Sequence, residues 1–205
     1  MITISIIGAG NMAAAIGARA AHVGHPVEVI SRDTARAQAL ATRLGHDTNV
    51  GTFGERPTGD IVILAVLSAG AVEAVTRFGD TLGGKTVIDI TNPFNADASG
   101  LVTGPNDSMA HRISAELPKD THVVKAFNTI YGGAISSGEP IAAFFAGDDI
   151  EAKARVAEFL ETLGMRPLDA GGLGMAHALE WAGLMLVGLS RSGAGFNIAL
   201  ATQAL

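Results

Sequence analysis

The chain opens with Ile2-Thr3-Ile4-Ser5-Ile6-Ile7 and passes at once into Gly8-Ala9-Gly10-Asn11-Met12-Ala13. The first six residues are mostly β-branched and read as a strand; the next six read as a turn that opens a helix. In a G-x-G-x-x-G/A turn at such a junction, the first glycine permits the tight turn and the second lets the backbone approach a diphosphate. The third, small residue lets the helix pack close to the strand. Gly8, Gly10 and Ala13 hold those places. A helix starting at Asn11 aims its free N–H groups and the positive end of its dipole at the phosphates. In a chain with 26 glycines this spacing also arises by chance. Its weight comes from context: a β-branched strand before it and the helix-period stripe Met12, Ile16, Ala20, Val23 after it.

About 20 residues further on, where a dinucleotide fold places the group that reads the adenosine ribose, strand Val27-Glu28-Val29-Ile30 ends in Ser31-Arg32. An NAD-binding chain usually carries Asp or Glu there to accept bonds from the ribose hydroxyls, whereas NADP needs space and positive charge for a phosphate. A hydroxyl, a guanidinium fork and a second arginine, Arg36, one turn later form a dianion site. The plain alternative is a solvated helix start capped by Asp33 or Thr34.

Composition narrows the partners. With 14 basic and 20 acidic residues the formal net charge is -6 and no basic run stands out, so nucleic acid and anionic membranes are poor partners. The chain has no cysteine, which excludes thiolate catalysis, disulfides and Cys-ligated metals and points to a cytoplasmic setting. The first residues lack the positive region of a signal peptide. The apolar run Trp181 to Ser190 is shorter than the ~20 residues that span a bilayer, so no membrane association is expected.

Strands and helices alternate, which predicts an α/β fold with a doubly wound, Rossmann-type parallel sheet. Ile61-Val62-Ile63-Leu64-Ala65-Val66 is apolar throughout, as a central strand buried on both faces should be. Thr86 to Ile90 and Val123 to Phe127 read the same way, with helices marked by Ala37, Leu40, Ala41, Leu44 and by Val156, Phe159, Leu160, Leu163. Ile141 to Ala146 and Met165 to Leu168 read as short strands around a helix from about Ile150, with Asp148 and Asp149 at the capping positions. The expected organisation is an NADP-binding domain over 1–145 and a small C-terminal helical and strand extension over 146–205 for substrate and dimerisation, with no clean linker. From Leu173 to Leu189 apolar residues fall on every face, which predicts burial in the substrate region or in the interface of a homodimer.

In open parallel sheets ligands lie beyond the carboxyl ends of the strands. The residues found there are Gly8, Ala9, Gly10, Asn11 and Met12; Ser31 and Arg32; Val66, Leu67 and Ser68; Thr91, Asn92 and Pro93; and, around the next strand end, Ala126, Phe127 and Asn128. These, with Arg36, are the candidate NADP contacts, Phe127 excepted. Thr91, Asn92, Pro93, Phe127 and Asn128 are expected to position the reacting rings. No histidine follows a strand end: His22 and His25 close the first helix, His46, His111 and His122 lie elsewhere, and His177 stands beside Glu180 as an i, i+3 pair that reads as structural. No metal-ligand, Cys-His or nucleophile-elbow pattern is present. A nicotinamide site with so few ionisable groups suits hydride transfer to an acceptor that needs no protein acid, so no side chain is expected to be essential to the chemistry and no metal is expected.

Taken together, Gly8-Ala9-Gly10-Asn11-Met12, Ser31-Arg32, Thr91-Asn92-Pro93, Val123-Val124-Lys125-Ala126-Phe127-Asn128-Thr129 and Leu168-Asp169-Ala170-Gly171-Gly172-Leu173, with Ala176 and Leu179-Glu180, resemble the coenzyme F420-dependent NADP oxidoreductase family along nearly the whole chain. They are also similar to the cytoplasmic NADPH-flavin domain of transmembrane metalloreductases. The resemblance implies a dimer, NADP held through Ser31, Arg32 and Arg36, and hydride exchange between the nicotinamide and a small-molecule deazaflavin or flavin acceptor. Deazaflavin-using members tend to carry His where this chain has Asn128, which leaves coenzyme F420, FMN and FAD all open as the second substrate. Ile7 to Ala13 also looks like the start of a pyrroline-5-carboxylate reductase, whose long helical dimerisation domain has no counterpart here. The alternatives are therefore an NADPH-dependent imine or carbonyl reductase and a non-catalytic NADP sensor.

Overall fold

The computed structural model describes residues 1–45 and 48–203; His46 lies outside them. Eight strands, β1 (Ile4–Ile7), β2 (Val27–Ile30), β3 (Asn49–Gly51), β4 (Ile61–Leu64), β5 (Thr86–Asp89), β6 (His122–Ala126), β7 (Ile141–Gly147) and β8 (Met165–Asp169), form one sheet in the order β3-β2-β1-β4-β5-β6-β7-β8. The first six are parallel, β7 runs antiparallel to β6, and β8 is parallel to β7. Strand order reverses between β1 and β4, the point at which the carboxyl ends of a doubly wound sheet open a crevice. The edge strand β3 carries no period-2 apolar signal and is not legible in the sequence. β7 crosses residue 145, so the C-terminal strands continue the same sheet through the expected domain boundary.

Helices α1 (Asn11–His22), α2 (Thr34–Leu44), α5 (Gly132–Ser136) and α6 (Ile150–Thr162) share one core cluster with the sheet, while α3 (Ala71–Phe78) and α4 (Met109–Ala115) share the other. The predicted stripes Ala37, Leu40, Ala41, Leu44 and Val156, Phe159, Leu160, Leu163 are buried. Val23 is not: α1 ends at His22 and Val23 is exposed. Asp149 caps α6 by accepting from the Ala152 N–H. Asp148 instead accepts from the Leu173 N–H at 2.7 Å, fixing the short 3-10 turn that leads into α7 (Ala176–Leu189).

The helical stretch Leu173–Ala194 is 22 residues long and contains an 18-residue window of mean hydropathy 1.3, long and apolar enough by length and composition to cross a membrane. The sequence expectation counted only the unbroken apolar run inside it. Its inner face is nonetheless protein core: Ala176, Leu179, Glu180, Gly183, Leu184 and Leu186 are buried against the rest of the chain.

Gly8 turns the chain from β1 to α1 at φ +129, and a Cβ there would stand 2.1 Å from the Ala65 carbonyl oxygen just past β4. Both the backbone conformation and the contact demand glycine. Gly8→Ala is expected to lose roughly 2–5 kcal/mol of unfolding free energy or to yield no folded protein. Urea unfolding tests this: the midpoint should fall, and an unchanged midpoint would contradict so close a β1–β4 approach.

Candidate functional site

The phosphate end of the crevice is built from backbone. α1 begins at Gly10 with no side chain capping its first N–H groups, and a Cβ at Gly10 would meet no protein atom. Ala13 is fully buried beneath it, so the helix packs tightly on the sheet. An anion fits at this uncapped terminus. Beyond β2, the Ser31 hydroxyl accepts from the Asp33 N–H, and Asp33 caps α2 by accepting from the Arg36 N–H. Asp33, of the two capping candidates Asp33 and Thr34, is thus the one that caps α2. Arg32 is exposed and only loosely paired with Glu73 of α3, at 3.9 Å; its guanidinium is free to take a phosphate. Leu67, 85% exposed, stands at the opposite lip with Ser68 opening a 3-10 turn into α3.

The other end of the crevice is a pocket of about 180 Å³ lined by Met12, Ile90, Asn92, Phe94, Phe127, Asn128, Ile130, Tyr131, Gly183, Leu186 and Val187. None of these is acidic or basic. Its amides interlock: Asn92 Nδ2 donates to the Asn128 carbonyl at 2.8 Å, and Asn128 Nδ2 donates to Asn92 Oδ1 at 2.9 Å and to the Leu179 carbonyl at 2.7 Å, while Asn128 Oδ1 has no partner among the described residues. With two acceptors in front of it, the nitrogen of the Asn128 amide is fixed in orientation. α7 comes this close because Gly183 lacks a Cβ, which would stand 2.7 Å from Asn92 Oδ1. Tyr131 forms the far wall; Ser190 Oγ lies 3.1 Å from its hydroxyl and 2.9 Å from the Leu186 carbonyl. A serine carries one hydroxyl proton, so donation to Leu186 leaves Tyr131 as the donor to Ser190.

Two residues expected at the crevice surface are withdrawn from it. Ala126 is fully buried in the main core. Phe127 takes φ +61, which sends its fully buried ring against Phe159 of α6 at 6.3 Å between centroids. It forms the pocket floor, and no cofactor ring can stack on it. Thr91 and Pro93 are buried and hold the loop, while Asn92 is half-buried and faces the pocket.

Beneath this lattice lies a group of charges that no pattern in the sequence joins. Lys125 Nζ, fully buried in β6, donates to Asp89 Oδ2 at 2.8 Å, to Glu180 Oε1 at 3.1 Å and to the Thr91 carbonyl. Asp89 Oδ1 accepts from the Thr91 N–H, and Glu180 Oε1 from the Met109 N–H at the start of α4. Glu180 Oε2 has no partner. Burial pushes the Glu180 carboxyl above the usual glutamate range; Lys125 and the Met109 N–H oppose that and Asp89 adds to it. One ammonium between two carboxylates is neutral when Glu180 keeps its proton on the unpartnered oxygen. Asp89 lies in no motif and Lys125 only in the Val123 to Thr129 run; the signal in the sequence is a single charged side chain near the carboxyl end of each of two largely apolar strands.

Among the described residues, no histidine lines the pocket. His25 is buried at the foot of α1 against Thr162, 2.7 Å away, and burial lowers its pKa; it is a packed residue. His177 does not meet Glu180. Its Nε2 accepts from Trp181 Nε1–H at 3.0 Å, so Nδ1 carries the proton donated to the Asp107 carbonyl at 2.8 Å.

Fold and crevice together are of the Rossmann type, a mostly parallel sheet with its opening beyond the carboxyl ends of the strands. More particularly, residues 3–93 match the family described as NADP oxidoreductase, coenzyme F420-dependent, and the resemblance carried by the motifs stands. Metalloreductase STEAP3 of Rattus norvegicus is 29% identical over 187 residues, 90% of this chain and 37% of that protein. The chain spans about two fifths of the length of the curated relatives it matches. A protein from Arthrobacter sp. FB24 described as an F420-dependent NADP-reductase superposes with TM-score 0.86 at 24% identity, over 98% of this chain and 100% of that one. An imine reductase from Aspergillus terreus, in complex with NADPH4 and dibenz[c,e]azepine, superposes with TM-score 0.62 at 20% identity, over 93% of this chain and 62% of that one. At these identities the two superpositions are likenesses of fold.

The raised pKa of Glu180 has a signed consequence for stability. Because the folded value exceeds the unfolded one, the associated stability is complete below the ordinary glutamate pKa and is lost as pH rises through the folded value. Urea unfolding from about pH 4 to pH 8 should show wild type losing stability relative to Glu180→Gln as pH increases. Parallel curves would mean that Glu180 does not titrate in this interval.

Proposed function

We propose that the protein transfers hydride between NADP(H) and a flavin-type ring, a deazaflavin such as coenzyme F420 or a flavin such as FMN or FAD. The observation that carries this reading is the pairing of a dianion site at Ser31, Arg32 and Arg36 with a pocket walled by apolar side chains and interlocked amides. When both are bound, NADPH supplies the hydride and the ring accepts it. The protein's part is to hold: the α1 terminus and Gly8 to Met12 take the diphosphate, Arg32 and Arg36 take the ribose phosphate, and Asn92 orients the ring end, kept in place by Asn128. Phe94, Leu186 and Val187 exclude water from the pocket. A cytoplasmic setting fits the cysteine-free composition.

A reductase of a small imine or carbonyl is the second reading, favoured by one feature: the Tyr131 hydroxyl on the pocket wall can donate a proton. Tyr131→Phe separates the two. Unchanged transfer to FMN or coenzyme F420 supports the ring acceptor; abolished transfer with NADPH binding intact favours the proton donor.

The outer face of α7 supports a homodimer as well. Trp181, Met185 and Leu189, one helical turn apart, are 45–53% exposed and form an apolar stripe on the side away from the core. Leu186, 3% exposed, faces the protein's own core, so the interface residue to change is Met185. Light scattering is expected to give a dimer for the wild type and a folded monomer for Met185→Asp; a wild-type monomer at micromolar concentration rejects the interface.

Arg32→Ala is expected to weaken NADP binding roughly 10- to 100-fold by removing a charge-assisted phosphate contact and to leave NAD binding almost unchanged. Calorimetric titration with both cofactors measures this, and equal wild-type affinity for NAD and NADP would reject the phosphate site. Hydride transfer itself is tested with NADPH deuterated at the transferring carbon: the label should appear on the ring carbon of reduced coenzyme F420. An unlabelled product in a preparation that turns over would exclude direct transfer.

A further inference from the structure

The ring pocket is assembled from two pieces of chain that do not pair with each other. One is the Thr91–Asn92 loop after β5; the other is the middle of α7, where Gly183 faces Asn92 of that loop and the Leu179 carbonyl accepts from Asn128 after β6. Hydrogen bonds to Asn92 and Asn128 lock them at the pocket surface, but both pieces are also suspended from the same buried charges. Lys125 holds the loop through the Thr91 carbonyl and α7 through Glu180. Asp89 holds the loop again through the Thr91 N–H, and Glu180 ties α7 to the start of α4 through the Met109 N–H. The side chains of Lys125, Asp89 and Glu180 are 0% exposed, and none of the three lines the pocket.

From this geometry we infer that Lys125 and Glu180 are positioning residues, which set the separation of the Asn92 loop from α7 and hence the place of the acceptor ring. The inference deepens the hydride-transfer reading and rests on it for its activity arm. The cluster joins β5, β6, α4 and α7 at one point. The groups facing Glu180 from those elements are Asp89 of β5, Lys125 of β6 and the Met109 N–H of α4. A separation error of a fraction of an ångström at the ring costs transfer rate, because reactivity depends steeply on the approach of the two carbons. NADPH affinity depends on phosphate contacts at the other end of the crevice and should be spared.

Two substitutions distinguish positioning from mere stability. Glu180→Leu removes every contact of the carboxylate, whereas Glu180→Gln keeps Oε1 as acceptor for Lys125 and Met109 and cannot titrate. With NADPH and FMN, Glu180→Leu is expected to lower single-turnover transfer per folded molecule by roughly tenfold or more, with NADPH affinity within about twofold of wild type. Glu180→Gln should recover the rate to within about threefold and flatten its pH profile. Amide exchange across residues 91–95 and 179–187 should accelerate in Glu180→Leu and return to wild-type rates in Glu180→Gln. Equal transfer rates in both variants, or loss of NADPH affinity in step with transfer, overturn the inference. If Glu180→Leu does not fold, Glu180→Gln decides alone: a pH–rate profile identical to wild type counts against the cluster. If the wild type reduces neither FMN nor coenzyme F420, the hydride-transfer reading fails, and the exchange arm still judges the cluster, with unchanged exchange rejecting it.

Discussion

A lysine ammonium with no contact to water, set between two carboxylates distant from it in sequence, is the interaction on which the C-terminal half depends. Taking such groups out of water costs several kcal/mol each, and their mutual attraction offsets this only when the remaining donors and acceptors are met. Lys125 meets its side of the condition by donating its three protons to Asp89, Glu180 and the Thr91 carbonyl, whereas Glu180 Oε2 has no partner among the described residues. An apolar trio of the same volume would hold the layers together at least as firmly. It would not fix one register of α7 against the sheet, because apolar surfaces tolerate sliding and an ammonium does not. A helix with apolar residues on every side has many ways to lie on a sheet, and Glu180 selects one.

The amino-terminal half was legible because its structure follows from local chemistry. Gly8, Gly10 and Ala13 are dictated by a turn, a backbone approach and a helix contact, all within six residues of one another. The stripe of α2 and the run of β4 are read from periodicity alone. Edge strand β3 has only three residues and no periodic signal. Ala126 and Phe127 were misplaced for a different reason: a position after a strand says that the backbone reaches the crevice, whereas φ at Phe127 decides where the ring goes. The Lys125, Asp89 and Glu180 cluster was missed because its members are 36 and 55 residues apart in sequence. Each alone reads as an isolated charge, and only the sheet order makes β5 and β6 neighbours.

The two ends of the crevice are built on opposite principles. At the phosphate end the protein offers backbone N–H groups and exposed arginines, with Arg32 in a long, weak contact to Glu73 that solvent and salt largely screen. These groups can reorganise on binding, and a charged ligand repays that through charge-assisted bonds. At the ring end there is almost no freedom. Asn92 and Asn128 bind one another, Gly183 lets α7 press on them, and the charges below hold both supports.

That division follows from what each end must do. Phosphate recognition gains from summed attraction and tolerates small shifts, so flexible cations on a surface serve it. Transfer between two ring carbons gains nothing from attraction shared equally by ground and transition states; it gains from geometry already in place before the ligands arrive. Rigidity is therefore concentrated where no charged side chain touches the pocket, and the charges that create it are kept one layer beneath, where they fix positions without offering a proton to the ring. The same reasoning explains the two faces of α7. Its inner face is committed to a single register by Glu180 and Gly183, and only a helix already fixed from within can present Trp181, Met185 and Leu189 as a defined surface outside.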